Sequence, residues 1–131
     1  MSKLVEELKN EHAMVVAALE KVKKLGIGSQ EGQEALASVK EALLGHLKKE
    51  DEQFYPTLKK AAQNNPRLAR SLEAYAGELA EVSKAALQFF EKYARGGIST
   101  EFTTDFGKLS AALADRIRKE ESYLYAEYDK L

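Results

Sequence analysis

The sequence predicts an all-α fold, an antiparallel up-down-up-down four-helix bundle formed by two repeated helical hairpins. Apolar residues recur every three to four positions in four long segments of the 131-residue chain, a spacing typical of amphipathic helices. Breaks marked by Gly, Asn or Pro separate these segments, and short connections favour antiparallel neighbours. The second half also repeats the first at an offset of about 70 residues, which aligns Glu50 and Tyr55 with Glu120 and Tyr125. We expect residues 1–131 to form a single domain.

The predicted helix boundaries in the first half follow from cap residues and glycines. The first helix begins near Ser2, a good N-cap, and ends at Gly26 and Gly28. Ser29 offers a cap for the second helix. This helix passes through Pro56, where the missing backbone donor predicts a bend and not a stop.

The boundaries in the second half depend on the same chemistry. Asn65 is the predicted cap of the third helix, and Pro66 suits the first helical position. This helix is predicted to end at Gly96-Gly97, and Ser99 or Thr100 begins the fourth.

The inward stripes of the four helices define a predicted core. Its members are Leu8, Val15, Leu19, Leu43, Leu47, Phe54, Leu79, Phe90, Phe106, Leu113, Ile117 and Leu124. Met14 lies beside the first stripe, and we expect it to be core as well. Three glutamates fall off the stripes and are expected to be solvated: Glu11, Glu78 and Glu81. Four tyrosines near one end are expected to pack with their hydroxyls in water: Tyr55, Tyr123, Tyr125 and Tyr128.

The composition of the chain excludes several classes of function. Apolar residues make up 44% of the chain and charged residues 31%, which indicates a globular protein that is neither disordered nor membrane-spanning. The chain has no cysteine, so disulfides, thiolate metal sites and cysteine nucleophiles are excluded. The net charge is −1 and the lysine pairs are scattered, so nucleic acid is not a predicted partner. The N-terminus lacks an apolar signal region, which predicts a cytoplasmic location.

Ionisable side chains interrupt the apolar stripes. His46 and Glu50 lie one turn apart on the inward face of the second helix, and His12 falls between Leu8 and Val15 on the first. Burying such groups without partners costs free energy, so the interior must satisfy them. A metal ion would do so. The His46–Glu50 pair by itself also fits a buried hydrogen bond, and His12 by itself fits a core histidine with a polar partner.

Three segments together resemble a known family. Glu11-His12, then His46-Leu47-Lys48-Lys49-Glu50, then Phe54-Tyr55-Pro56 resemble the hemerythrin-like HHE cation-binding family, and the resemblance extends over essentially the whole chain. It implies a four-helix bundle that holds two irons. Histidines of the first and second helices bind one iron, histidines of the third and fourth bind the other, and two carboxylates bridge them.

The second half departs from the family pattern. Carried over by the resemblance, His12 and His46 match the ligands of the first iron, and Glu50 and Glu120 match the bridging carboxylates. Ser83 and Arg116 stand where histidines of the second iron are expected. Serine is a poor ligand, and arginine cannot be deprotonated in a protein.

Two outcomes for the site follow from this departure. In the first, Arg116 replaces only the second ion and leaves a mononuclear site of His12, His46, Glu50 and Glu120 for non-haem iron or a similar divalent metal. In the second, Arg116 holds both carboxylates and the bundle is metal-free.

These outcomes correspond to two functions. The first is a hemerythrin-like metal-binding protein, for metal binding or for binding or sensing of a small molecule such as O2, NO or peroxide. The second is a metal-free helical scaffold that acts through protein interaction or oligomerisation. The sequence has no recognisable nucleophile with its base and no phosphate-binding loop, so an enzyme is less favoured than a binding protein. An oxidase or peroxidase with a mononuclear iron is a third hypothesis, which only the open coordination positions of such an ion support.

Overall fold

The computed structural model of the chain describes residues 2–93 and 101–131. Within these two ranges every regular element is helical and no strand is present. None of the helices described is long and apolar enough to cross a membrane. The predicted end of the third helix at Gly96-Gly97 and the predicted start of the fourth at Ser99 or Thr100 lie outside the described residues.

The described residues form four continuous helical segments, two of which contain a π-helical turn. The first is α1 (Lys3–Leu25). The second comprises α2 (Gln30–Lys49), a first π-helical turn (Glu50–Phe54) and α3 (Tyr55–Ala62). The third is α4 (Pro66–Lys92). The fourth comprises α5 (Phe102–Lys119), a second π-helical turn (Glu120–Leu124) and α6 (Tyr125–Asp129).

The caps that the sequence predicts are confirmed. The side chains of Ser2, Ser29 and Asn65 each accept the backbone N–H three residues later, at 3.1, 3.1 and 3.2 Å. Gly26 follows the last residue of α1 with a φ of 71°, in the left-handed region that favours glycine. The sequence therefore defines where these helices begin and where α1 ends.

The helical segment continues through Pro56, as predicted, but the irregularity lies in the π-helical turn that precedes it. The second π-helical turn occurs at the equivalent place in the other half, where Ala126 replaces the proline. A proline is therefore not required for such a turn. Single π-helical turns are rare and concentrate at functional sites, and these two begin at Glu50 and Glu120.

The predicted core is confirmed with one partial exception. All of its members are buried except Ile117, which is half-buried. The prediction for Met14 is wrong, because its side chain is 63% exposed on the outer side of α1.

The buried residues form two apolar clusters. The larger contains Val15, Leu43, Leu113 and a group of phenylalanines, whereas the smaller contains Leu8, Phe54, Leu58, Leu68, Leu124 and Tyr125. His12, Glu50, Arg116 and Glu120 each lie in sequence between a member of one cluster and a member of the other, and His46 lies one turn before Glu50. This polar layer is the candidate site.

Candidate metal site

The structure brings together all four residues that the sequence singles out. His12, His46, Glu50 and Glu120 each offer one ligand atom, and these atoms lie within 4.8 Å of one another. All four side chains are buried, and the most exposed residue of the four is His46 at 4%. α1 and α2 supply the histidines, and each π-helical turn supplies one carboxylate at its first residue.

His46 is oriented by a carboxylate of the neighbouring helix. Its Nδ1 lies 2.7 Å from Oε1 of Glu11, which favours the tautomer with the proton on Nδ1. Its Nε2 lies 3.3 Å from Oε1 of Glu50 but has no hydrogen-bond partner among the described residues. A lone pair on Nε2 is therefore directed at the cluster.

Glu11 contacts both His46 and Lys49, so the expectation that it is solvated is wrong. Lys49 donates to Oε2 of Glu11 at 2.5 Å, and the side chain of Glu11 is only 26% exposed. Burial acts to raise the pKa of Glu11, but the hydrogen bonds from Lys49 and His46 outweigh it and lower the pKa. Glu11 thus remains an ionised acceptor for the imidazole.

His12 has an equivalent arrangement. Its Nδ1 lies 2.7 Å from Oε2 of Glu121, and its Nε2 lies 3.1 Å from Oε1 of Glu120 and 3.1 Å from the hydroxyl of Tyr125. Both imidazoles thus contact an outer carboxylate through Nδ1 and direct Nε2 inward. The two rings lie side by side, with centroids 4.6 Å apart.

The sequence predicts no role at the site for Glu11 or Glu121. Each is adjacent in sequence to a predicted ligand, since Glu11 precedes His12 and Glu121 follows Glu120. This adjacency to a predicted ligand is the sequence signal that could have indicated a role at the site. It does not show by itself that the side chains reach back to an imidazole on another helix.

Two tyrosines donate hydrogen bonds to the carboxylates. Tyr55 donates to Oε2 of Glu120 at 2.6 Å, and Tyr125 donates to Oε2 of Glu50 at 2.8 Å. The expectation of water-exposed hydroxyls is wrong for both, because their residues are 8% and 0% exposed. Burial, followed by the charges of Glu120 and Glu50, raises the pKa of both phenols, so they remain donors.

Arg116 lies beside both carboxylates, as the sequence predicts. Its Nη2 is 3.3 Å from Oε1 of Glu50, and its Nε is 3.5 Å from Oε2 of Glu120. Nη1 donates to the hydroxyl of Ser83 at 2.9 Å and to the carbonyl of Leu79 at 3.0 Å. The two residues that replace the expected second-half histidines therefore contact each other.

The two carboxylates have opposite pKa shifts. Burial raises the pKa of Glu50 to about 7. Burial also acts to raise that of Glu120, but hydrogen bonds from His12 and Glu50 and the charge of Arg116 outweigh it and lower the pKa to about 2. Burial acts to lower the pKa of His46, but its carboxylate neighbours reverse this and raise it. Near neutral pH the pair therefore carries one fixed charge on Glu120 and a titrating carboxyl on Glu50.

A small cavity adjoins the cluster. It measures about 10 Å³ and is lined by His12, His46, Arg116 and Glu120 on its polar side and by five aliphatic residues on the other. This volume is close to the smallest that accepts one water molecule. Only a very small ligand fits beside the four residues without movement of the helices.

Comparison with protein families identifies the family of the chain. The family model described as the hemerythrin HHE cation binding domain matches residues 3–128. Neither the curated proteins nor the solved structures compared with the chain gave a match. The matched range contains every residue of the site and almost the whole chain. The chain belongs to the hemerythrin HHE cation-binding domain family.

Proposed function

We propose that the chain binds one divalent metal ion through His12, His46, Glu50 and Glu120, and that Arg116 takes the place of a second ion. Two imidazole nitrogens and two carboxylate oxygens suit Fe(II), Mn(II) or Zn(II). We propose non-haem iron as the natural ion, because the family resemblance implies it.

The observation that carries this proposal is the state of His46. Its Nδ1 contacts Glu11 at 2.7 Å, whereas its buried Nε2 has no hydrogen-bond partner among the described residues. Leaving a buried polar atom unpaired is unfavourable. An imidazole held by a carboxylate on one nitrogen, with the other nitrogen free, is the usual arrangement of a metal-binding histidine.

Arg116 supports a single ion. Its guanidinium contacts both Glu50 and Glu120, and burial without these carboxylates would be costly for its charge. A second cation on the same side would have to share those oxygens with a fixed positive charge. Arg116 and Ser83 also occupy the two positions from which the missing histidines would bind, and they contact each other.

The roles of the surrounding residues follow from their contacts. A bound ion would supply Lewis acidity and coordination positions open to a small ligand. Tyr55 and Tyr125 would hold the outer oxygens of the carboxylates, while Glu11 and Glu121 would hold the imidazole orientation. The cavity of about 10 Å³ beside the cluster leaves no room for a large ligand, and we propose binding or sensing of a small molecule such as O2, NO or peroxide.

The proposal includes a single domain over 1–131 with antiparallel up-down-up-down helices. Contacts between α1 and α2 support this direction, since Lys49 near the end of α2 reaches Glu7 near the start of α1 at 3.5 Å. The cytoplasmic location stays a prediction from the sequence.

A metal-free scaffold is the second candidate, and a specific observation favours it. Every carboxylate oxygen of Glu50 and Glu120 already has a contact within 3.5 Å, from His12, Tyr55, Tyr125, Arg116 or His46. Such a network can satisfy a buried pair without an ion. In this case the bundle would act through its surface.

Metal content decides between the two candidates. The chain is purified without chelators, and its iron, manganese and zinc are measured per chain before and after anaerobic incubation with Fe(II). We expect one ion per wild-type chain. Glu50→Gln should weaken binding at least about ten-fold because it removes an anionic ligand, whereas Glu52→Gln, an exposed residue of the same π-helical turn, should bind as wild type.

Each other result has a clear meaning. Two ions per wild-type chain would refute the mononuclear proposal. No ion under any condition, with a folded chain, would leave the scaffold as the better account. Equal binding by the Glu50 and Glu52 variants would place the ion elsewhere.

A further inference from the structure

The outward side of α1 is apolar in the middle of the helix, from Ala13 to Ala17, although nothing covers it in the single chain. Residues 13–19 are seven consecutive apolar residues, but the bundle buries only one side of them. Ala13, Met14, Val16 and Ala17 are exposed, Met14 by 63% and Val16 by 45%. A helix that is apolar around its whole circumference is typical of one covered on both sides.

The exposed residues continue in both directions as a regular stripe. We define the outer stripe of α1 as Glu6, Asn10, Ala13, Ala17, Glu20 and Lys24, all exposed. Their spacing alternates between four and three residues. This is the spacing of the a and d positions of a coiled coil, and it lies opposite the inward stripe that contains His12 and Val15.

We infer that a second copy of this chain packs on the outer stripe, antiparallel to the first, to form a two-fold symmetric dimer. An isologous interface requires that the stripe complement itself when reversed about one point. The outer stripe does so about the level of Val15. Ala13 then faces Ala17 of the second copy at the centre, where small side chains let the two helices approach closely.

The charges at the two ends of the stripe complement each other in the same arrangement. Glu6 of one copy faces Lys24 of the other, and the amide of Asn10 faces the carboxylate of Glu20. Glu6, Glu20 and Lys24 form no side-chain ion pair or hydrogen bond with any described residue. These charges are therefore available, and the same axis satisfies the apolar and the charged pairs.

Met14 and Val16 flank the stripe on opposite sides. A two-fold axis perpendicular to the helices places Met14 beside Met14 of the second copy and Val16 beside its equivalent. The exposed apolar side chains of α1 are thereby covered on both sides of the contact. The interface lies opposite the inward face of α1, so the dimer forms with or without a metal at the candidate site.

Sedimentation equilibrium of the full chain across micromolar to millimolar concentrations tests the interface. We expect a monomer–dimer equilibrium for wild type. Ala17→Glu should abolish the dimer by placing two like charges at its centre, whereas Leu87→Glu, at a 55% exposed leucine of α4, should leave it unchanged. A wild-type monomer at every concentration, or a dimer that survives Ala17→Glu, would overturn the proposal.

A charge exchange tests the antiparallel pairing itself. Glu6→Lys alone and Lys24→Glu alone each place like charges opposite each other twice per dimer, and each should raise the dissociation constant about ten-fold. The double variant Glu6→Lys with Lys24→Glu restores opposite charges and should return the constant to within about three-fold of wild type. A double variant as weak as the two single changes combined would refute this pairing.

Discussion

The hydroxyl of Tyr125 donates a hydrogen bond to Oε2 of Glu50 at 2.8 Å, across 75 residues of sequence. Tyr55 donates in the same way to Glu120 at 2.6 Å, across 65 residues. Each hydroxyl belongs to one half of the repeat and each carboxylate to the other half. The exchange therefore ties the two helical hairpins together at the level of the candidate site.

Removing one of these hydroxyls should destabilise the chain. Tyr55→Phe or Tyr125→Phe leaves a buried carboxylate oxygen without its donor, which we expect to cost about 1–3 kcal/mol of the free energy of unfolding. Urea unfolding measures this. Tyr128→Phe is the matched control, because Tyr128 packs against Phe54 but its hydroxyl makes no hydrogen bond within the described residues. Equal losses for all three would mean that the effect does not come from the hydrogen bonds to the two carboxylates.

Stability of the metal-free chain should fall as pH rises toward neutral. The pKa of Glu50 is about 7 in the folded chain against 4.5 as its ordinary value, so between these values the folded state holds a proton that the unfolded state has released. His46 acts in the same direction, since its raised pKa stabilises the folded chain below 6.5 and this contribution is lost above it. Glu120, with a pKa of about 2, stabilises the chain above 4.5 and loses this effect as pH falls toward 2. Together these groups place the maximum of the stability of the metal-free chain near pH 4.5.

Unfolding in urea with a chelator present, at pH 4.5, 6 and 7.5, measures this slope. We expect a loss of about 1–3 kcal/mol between pH 4.5 and 7.5, and Glu50→Gln should flatten it because glutamine does not titrate. Added metal should oppose the trend, since binding requires an ionised Glu50 and a neutral His46. A slope that Glu50→Gln leaves unchanged would assign the titration to another group.

The outer carboxylates should control metal affinity more than stability. Glu11→Gln and Glu121→Gln replace the anionic acceptors that hold the two imidazoles with neutral amides, and loss of such a carboxylate partner lowers metal affinity about 10–100-fold. Their side chains are 26% and 39% exposed, so the fold should tolerate both changes. Calorimetric titration with Mn(II) or Zn(II) gives the affinity. Glu78→Gln is the control, because Glu78 pairs with Lys119 away from the histidines.

The core on the other side of the site gives a prediction for packing. Leu43→Ala or Leu113→Ala should cost about 2–5 kcal/mol of the free energy of unfolding, because each leaves a cavity in the larger cluster. Leu87→Ala, at a mostly exposed position, should change it by less than about 0.5 kcal/mol. A loss below about 1 kcal/mol at both core positions would contradict the packing described here.

Periodicity was enough to predict the helices and the inward positions of His12, His46 and Glu50, because an inward histidine or glutamate interrupts an apolar stripe visibly. The caps followed from the chemistry of the cap residues, and Glu120 from the repeat and the family resemblance. It was not enough to predict the π-helical turns, since one extra residue per turn changes the hydrogen-bond register without changing residue types. The contacts of Tyr55 with Glu120 and of Glu11 with His46 join separate helices. They depend on distances between helices, which spacing along one helix does not determine. Met14 was placed wrongly for a related reason, because an apolar run does not show which of its sides the bundle covers.

The contact between Arg116 and Ser83 gives the last prediction, a gain of metal. Nη1 of Arg116 lies 2.9 Å from the hydroxyl of Ser83, and its other nitrogens contact the two carboxylates. Replacing both residues with histidine removes the fixed charge and supplies two imidazoles from α4 and α5 beside Glu50 and Glu120. The double variant Ser83→His with Arg116→His should therefore raise the metal content from one ion toward two per chain, measured by elemental analysis after anaerobic loading with Fe(II). Arg116→His alone is the control. Its metal content should stay near one ion per chain, because Ser83 remains a poor ligand. A folded double variant that still binds a single ion would show that Arg116 is not what excludes the second.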